Sequence, residues 1–379
     1  MHILVAPNAF KNSLTASEVS EAVCKGLLNS RLVCTVESFP VGDGGDGTAN
    51  LILSKFKGTR IEVKVHDPLN RIVAASFGII DDGDAAVIEM ADASGIKLLS
   101  ADELNPLKTS SLGTGELILA ALDKGVSKII IGLGGSATVD GGAGMLSALG
   151  VKFLDAEGQL LHPSPEHLLK LDTIDPSGID ARLGKCRIIV LCDVDNELLG
   201  TKGSAAVFGP QKGAKHSDLV VLDSILAKMS ELAAAQNPKQ MHSVKHGGAA
   251  GGLAAALYSF CNAELVAGAE YFLQMTNFRE SLEKCDLVIT GEGSLDEQTL
   301  QGKAPFAVSL MAKKLQIPVI GIAGRVPLIK NEELDKHFGV LLSIGHEPKN
   351  LVDAFKDAEA NLIRTGTLIG NLYSLSSRK

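Results

Sequence analysis

Tryptophan is absent from this 379-residue chain, and 3 tyrosines with 12 phenylalanines bring the aromatic fraction to only 4%. Protein-recognition surfaces draw much of their energy from Trp and Tyr, so the composition argues against a recognition module. Basic residues are outnumbered, 36 Lys and Arg against 44 Asp and Glu, for a net charge of −8. A nucleic-acid binder wants a basic face, and none is signalled. No uncharged apolar run reaches the ~20 residues of a membrane span. The chain opens directly on the strand-like Ile3-Leu4-Val5, without the basic region and apolar core of a signal peptide. The cysteines, Cys24, Cys34, Cys186, Cys192, Cys261 and Cys285, form no C-x-x-C, which excludes a zinc knuckle or a redox motif. Those inside apolar runs read as small hydrophobes, and a reducing cytoplasm fits. A phosphate-binding G-x-x-x-x-G-K-[ST] is also missing, so any nucleotide chemistry must use another architecture.

What is abundant is glycine, 40 residues of it, in a chain otherwise of ordinary globular composition, 45% hydrophobic and 21% charged. The length predicts two domains of ~100–200 residues each. The glycines concentrate in loops, above all in Ile129–Gly144, where Ile129-Ile130-Ile131 reads as a buried strand. Glycines then alternate with Ser136, Thr138 and Asp140. Glycine permits sharp turns and close approach at an entropic cost. Such a loop either cradles phosphate or carboxylate oxygens or packs tightly against a sheet. Gly132–Ala137 also fits the dinucleotide pattern G-x-G-x-x-G/A, with Asp155 at the distance of a ribose acid. Two features count against it. The following segment breaks at Gly141-Gly142, and Asp155-Ala156-Glu157-Gly158 has the composition of a hairpin turn.

Taken in order, the chain starts with a β-strand at Ile3–Ala6 and a capping box at Thr15-Ala16-Ser17-Glu18. A helix burying Val19, Ala22, Val23 and Leu27 follows, then a strand over Val33–Phe39 and a helix to about Phe56. Arg60–Val65, Ile72–Ile80 and Ala85–Met90 predict antiparallel strands joined by turns. Past the central loop come a buried strand at Cys186–Leu191, a long helix from about Ser217 to Ala235, and a glycine loop at Gly247–Gly252. The βα rhythm returns with strands at Leu287–Thr290, Val319–Ile322 and Val340–Ile344, and a closing helix burying Leu351, Ala354, Phe355, Ala358 and Leu362. The ends together predict a flavodoxin-like parallel sheet of order 2-1-3-4-5, built from residues 1–60 and 285–379. Residues 61–284 would then be a large inserted mixed α/β domain. Ligands of open α/β sheets bind outside the carboxyl ends of the strands. The loops there offer Asn8, Lys11 and Ser13, then Asp43 and Asp46, then Glu292, Ser294, Asp296 and Gln298, and finally Gly324 and Arg325. The inserted domain would cover this edge and make an interdomain cleft.

At these residues the sequence resembles the bacterial glycerate kinase family. The matching stretches are Ala6–Leu14, Asp43–Thr48, Leu133–Gly144, Cys192–Asn196, Phe208–Ala214, Ala249–Leu253 and Gly291–Lys303, and the resemblance covers nearly the whole chain. It implies a two-domain enzyme that transfers the γ-phosphoryl group of ATP to D-glycerate with Mg²⁺, and it leans toward the 2-hydroxyl. The family usually carries Asp where Asn8 stands, Glu where Asp46 stands, Asn where Val139 stands and Pro where Glu197 stands. Asn8 therefore makes a poor base, and Asp46 keeps its charge on a shorter arm.

Phosphoryl transfer is mostly positioning and charge neutralisation. It needs cations for phosphates, carboxylates for Mg²⁺ and for the attacking hydroxyl, and a clamp for the substrate carboxylate. With the resemblance in hand, Lys11, Asp193 and Asp296 are the expected catalytic residues. Glu292 and Asp296 are expected metal ligands. Asn8, Ser13, Asp43, Asp46, Gly134, Gly135, Ser136, Lys212, Gln298, Lys303 and Arg325 are expected around substrate and phosphates. His66, His242 and His246 read as loop residues. A binding protein that closes on a small acid without chemistry is the alternative, but it has no use for so many carboxylates beside an anion. A homodimer is compatible with the sequence.

Overall fold

A computed structural model describes residues 1–237 and 239–376. The chain separates into two compact units, residues 1–43 with 269–379, and residues 44–268. The first unit is built on a five-stranded sheet, ordered Val340–Ser343, Val319–Arg325, Leu287–Ser294, His2–Val5, Thr35–Ser38. Every neighbouring pair is parallel, so the expected 2-1-3-4-5 order holds. Its strands pair chain ends almost the whole sequence apart, with Ile3 opposite Leu287 and Val5 opposite Ile289.

The capping box forms as read. Glu18 N–H donates to Thr15 Oγ1, while Thr15 N–H donates to Glu18 Oε2 at 2.8 Å. That helix, Ala16–Leu28, buries Val19, Ala22, Val23 and Leu27. Its partner is Ala358–Ser376. Gly26 and Gly366 let the two helix backbones touch. A Cβ on Gly26 would lie 2.1 Å from the Ile363 carbonyl oxygen, and one on Gly366 2.6 Å from that of Val23.

The second unit carries a six-stranded sheet, ordered Glu264–Ala267, Arg187–Cys192, Lys128–Gly132, Ala85–Glu89, Ile72–Ile80, Thr59–His66. Its first four strands are parallel and the last two pairings are antiparallel. Its core runs through Ile129, Ile131, Ile188 and Val190, all buried. The helix Thr48–Phe56, read from the sequence as following the second strand of the terminal sheet, packs on Ala85–Glu89 and Ile72–Ile80 of this second unit.

Three further expectations are corrected. The strand read as Leu287–Thr290 continues to Ser294, and that read as Val319–Ile322 continues to Arg325. Glu292, Ser294 and Arg325 therefore stand on strand ends, not on free loops, with Ser294 opposite Arg325. The closing helix breaks at Asp357 into Leu351–Lys356 and Ala358–Ser376. Leu351, expected inside, is exposed. Asp155 sits in a turn, as read, accepting from the Glu157 and Gln159 N–H groups at 3.1 and 2.8 Å. An acid so engaged is a turn former, and the dinucleotide reading loses its ribose partner.

Candidate active site

In the first unit, the parallel pairing of His2–Val5 with Leu287–Ser294 brings their following loops side by side. A Cβ on Gly293 would lie 3.8 Å from the Lys11 backbone nitrogen. Lys11 itself is exposed, on a loop held by paired Phe10 and Leu14. Asn8 is buried, and its amide donates to Asp43 Oδ2 at 2.6 Å. An amide here serves a buried carboxylate that an Asp would repel. Ser13 spends its hydroxyl on the Phe355 carbonyl at 2.9 Å, so it anchors the loop.

Glu292 and Asp296 are close in sequence but opposite in environment. Glu292 is buried, accepts from Thr299 Oγ1 at 2.8 Å and has Lys303 Nζ at 3.5 Å. Burial pushes its carboxyl above the usual range, with Asp43 adding to the shift and Lys303, Thr299 and Lys11 opposing it. Asp296 is half-buried. Burial works against its charge, but bonds from Ser294 and the Gln298 N–H, with Arg325 and Lys303, outweigh burial and hold the carboxyl below its ordinary value. Arg325 Nη2 donates to Asp296 Oδ2 at 3.0 Å and its Nε to Ser294 Oγ at 3.1 Å. The fork expected on a substrate carboxylate is thus closed on the protein's own. Gln298 acts through its backbone, with an exposed side chain.

In the second unit, Gly134 lies so close to the preceding glycine loop that a Cβ would fall 2.4 Å from Gly45 Cα. Its N–H donates to the Gly44 carbonyl at 3.1 Å, which takes that donor away from any phosphate. Gly135 follows with φ of +72°. Lys212, expected to reach a phosphate, is instead 2% exposed. Its Nζ donates to Ser136 Oγ and to the Thr138 carbonyl, both at 2.7 Å, shaping the loop from beneath. Burial lowers its pKa to about 7, with Asp140 working the other way.

Asp140, also fully buried, accepts from Ser111 N–H and Oγ and from the Gly142 and Gly144 N–H groups. Those four donors explain why glycines crowd this stretch: the backbone wraps a carboxylate of its own. The Gly247–Gly252 loop packs on the same turn, with Gly141 N–H donating to the Gly251 carbonyl at 2.9 Å. Asp193, half-buried, follows the parallel strand Arg187–Cys192. His246, assigned no role from the sequence, faces the Val194 carbonyl at 2.7 Å and Asp195 at 3.0 Å.

Sequence reasoning missed Glu89. It closes the strand Ala85–Glu89 and accepts from the Ala49 N–H at 2.8 Å. Burial raises its carboxyl to about 7, opposed by Ala49 and reinforced by Asp46 and Asp92. A glutamate ending an apolar strand run was the signal available. Asp46 itself pairs with Lys97. Among the described residues, no group of three or more His, Cys, Asp or Glu is placed to hold a metal ion, and no helix is long and apolar enough to cross a membrane.

Two α/β units, with cations and carboxylates on the carboxyl edge of a parallel sheet, are equipment for handling a small anion. Comparison with known proteins gives the family. The glycerate kinase family model matches residues 3–374. A glycerate 2-kinase of Escherichia coli (strain K12) is 44% identical over 382 residues, covering 100% of this chain and 99% of that one. A glycerate kinase of Bacillus subtilis (strain 168) is 44% identical over 365 residues, covering 96% of each. A solved structure titled "Crystal structure of putative glycerate kinase 2 from Salmonella typhimurium LT2" matches with a TM-score of 0.83 and 40% identity, over 100% of both chains. This chain belongs to the glycerate kinase family, and it is an enzyme of that family.

Proposed function

We propose that this enzyme transfers the γ-phosphoryl group of ATP to D-glycerate, giving 2-phospho-D-glycerate, as a cytoplasmic protein working alone or as a homodimer. The observation that carries the reading is the charge arrangement of the first unit, where Lys11, Lys303, Asp43, Glu292 and Asp296 belong to loops and strand ends at one edge of a parallel sheet. Lys11 and Lys303 neutralise phosphate charge, an effect concentrated in the transition state. Mg²⁺ takes one or two protein carboxylates and fills its shell with water and phosphate oxygens. Glu292 and Asp296 suit that requirement as hard oxygen donors, and the ion would supply charge neutralisation on the phosphates. Asp193 and Asp296 are the proposed partners of the attacking hydroxyl. Asn8 and Asp43 bind substrate as one hydrogen-bonded pair. Asp46, Gly135 and Ser136 of the second unit are proposed to line the phosphates, with Gly134 and Lys212 giving that loop its shape and Ser13, Gln298 and Arg325 supporting the first unit's loops. The placement of the reaction in an interdomain cleft is part of the proposal and rests on the sequence.

The test is a coupled assay for ADP release with D-glycerate and Mg-ATP, with the product identified by phosphorus NMR. Release that depends on glycerate, with phosphorus on the 2-oxygen, is the expected result. Glycerate binding without ADP release would instead make this a passive binding protein.

A further inference from the structure

Within the second unit, a cavity of about 380 Å³ opens beside the glycine loop, bounded by Gly135. No residue named from the sequence as a substrate contact explains it except Asp46 and Gly135. Its far wall is the outer antiparallel hairpin, where Arg60 and Glu62 of Thr59–His66 stand beside Ala74 and Ser76 of Ile72–Ile80. Arg60 is held in place: its Nη1 donates to Ser76 Oγ at 2.9 Å, and Ser76 Oγ donates on to Asp92 Oδ2 at 3.1 Å. Lys97, paired with Asp46, stands at the glycine-loop end. The apolar floor of the lining is Ala74, Ala91 and Leu98.

The chemistry of this lining selects among ligands. The volume lies in the range of small-molecule sites and exceeds the needs of a three-carbon acid. Carboxylates outnumber cations, so a free acid anion is disfavoured. What fits is a ligand rich in hydroxyl and amine donors for Glu62 and Asp92, with a flat face for the alanine floor and the Arg60 guanidinium. Its negative tail would lead toward Lys97 and Gly135. A carboxylate that accepts from ribose hydroxyls is the device by which other α/β folds hold a nucleoside. We propose that this cavity holds the base and ribose of the adenine nucleotide, with its phosphates directed along Gly135–Ser136. The proposal deepens the kinase reading and rests on it for the identity of the nucleotide.

The experiment is calorimetric titration of the full-length protein with ADP and, separately, with inorganic tripolyphosphate, which carries the phosphates without a nucleoside. Ala74→Leu narrows the cavity from an exposed strand position, and Glu62→Gln removes one acceptor charge from another. Each should weaken ADP about tenfold, leave tripolyphosphate binding and melting temperature unchanged, and raise KM for ATP without changing kcat. Unchanged ADP affinity in both variants overturns the proposal, as does an equal loss for tripolyphosphate, which would make the cavity a phosphate site. A wild-type protein that does not bind ADP overturns it too. If the variants weaken ADP as expected but the wild type transfers nothing to glycerate, the kinase reading fails and the nucleoside site stands. If transfer occurs and the variants bind ADP normally, the nucleoside site alone fails.

Discussion

The two units hold their polar residues in different ways. In the unit made of the chain ends, the carboxylates on strand ends and loops each meet a side-chain partner: buried Glu292 with Lys303, half-buried Asp296 with Arg325, and buried Asp43 with the neutral Asn8 amide. In the other unit the glycine loop holds two interior ionisable groups, and the backbone is folded around them. Asp140 collects four donors, and Lys212 is capped by a hydroxyl and a carbonyl. A pair open to solvent, as Arg325 with Asp296 is, costs little to rearrange. Buried charge is expensive to disturb, so it fixes a loop and does not answer to one. The lesson is that two lysines from family-like motifs stand in opposite settings: Lys11 is exposed on its loop, and Lys212 is buried beneath one and holds it.

Removing each lysine sharpens this contrast. Lys11→Ala should lower kcat by ~10²–10³, the usual cost of losing one electrostatic contact in the transition state. Its melting temperature should stay unchanged, because the side chain is exposed. Activity that falls only in step with melting temperature would place Lys11 in the structural group. Lys212→Met should do the reverse in kind. It removes the cation facing buried Asp140 and both Nζ hydrogen bonds, at a cost of ~3 kcal/mol in stability, read by denaturant titration. A Lys212→Met protein of native stability with lost turnover would break the distinction.

Glu89 tests the interior character of the second unit through pH. Its folded pKa, about 7, lies above the ordinary 4.5. Below about pH 4.5 the carboxyl is protonated in both states and folding pays nothing for it. Between pH 4.5 and 7 the unfolded chain ionises this group while the buried carboxyl stays protonated, so stability falls, and the loss of ~3 kcal/mol is complete above pH 7. Glu89→Gln keeps an acceptor for the Ala49 N–H and cannot ionise. Its melting temperature should therefore fall less than that of the wild type between pH 4.5 and 7. Parallel curves for the two proteins would show that Glu89 is solvated in the folded state.

Much of the architecture was legible because it is written in local patterns. The Thr15 and Glu18 box, the apolar spacing of Val19, Ala22, Val23 and Leu27, and the interrupted βα rhythm gave the five-stranded sheet and its order. The strand Glu264–Ala267 was not legible, being short and opening on a charge. Ala358–Ser376 was read short: its buried stripe, Ala358, Leu362 and Ile369, is interrupted by Thr365 and by Gly366, where the backbone meets that of Ala16–Leu28. In the site, residue types were readable but not their partners. Arg325 after a strand looks like a free clamp until Ser294 is found in register with it. Arg60 and Glu62 look like the solvent face of an alternating strand, and only folding the hairpin over Asp92 turns that face into a cavity wall.

The smallest expected effect on stability is at Arg325, whose side chain is 76% exposed. An ion pair that open to solvent contributes ~0–1 kcal/mol, so Arg325→Ala should melt close to the wild type. Its effect should appear in titration instead. Burial acts to raise the Asp296 carboxyl, and Ser294, the Gln298 N–H and Arg325 together hold it down. Without the guanidinium the carboxyl rises, and the acid limb of kcat/KM should move to higher pH. Arg325→Lys keeps a charge but not the fork that spans Asp296 and Ser294, so its limb should fall between the two. If Arg325 instead opens in the working enzyme to clamp the glycerate carboxylate, a different result follows. KM for glycerate would then rise at every pH while the acid limb stayed in place, since Ser294, the Gln298 N–H and Lys303 would be holding Asp296 without it. That outcome would move Arg325 from the group that balances charge within the protein to the group that answers the substrate.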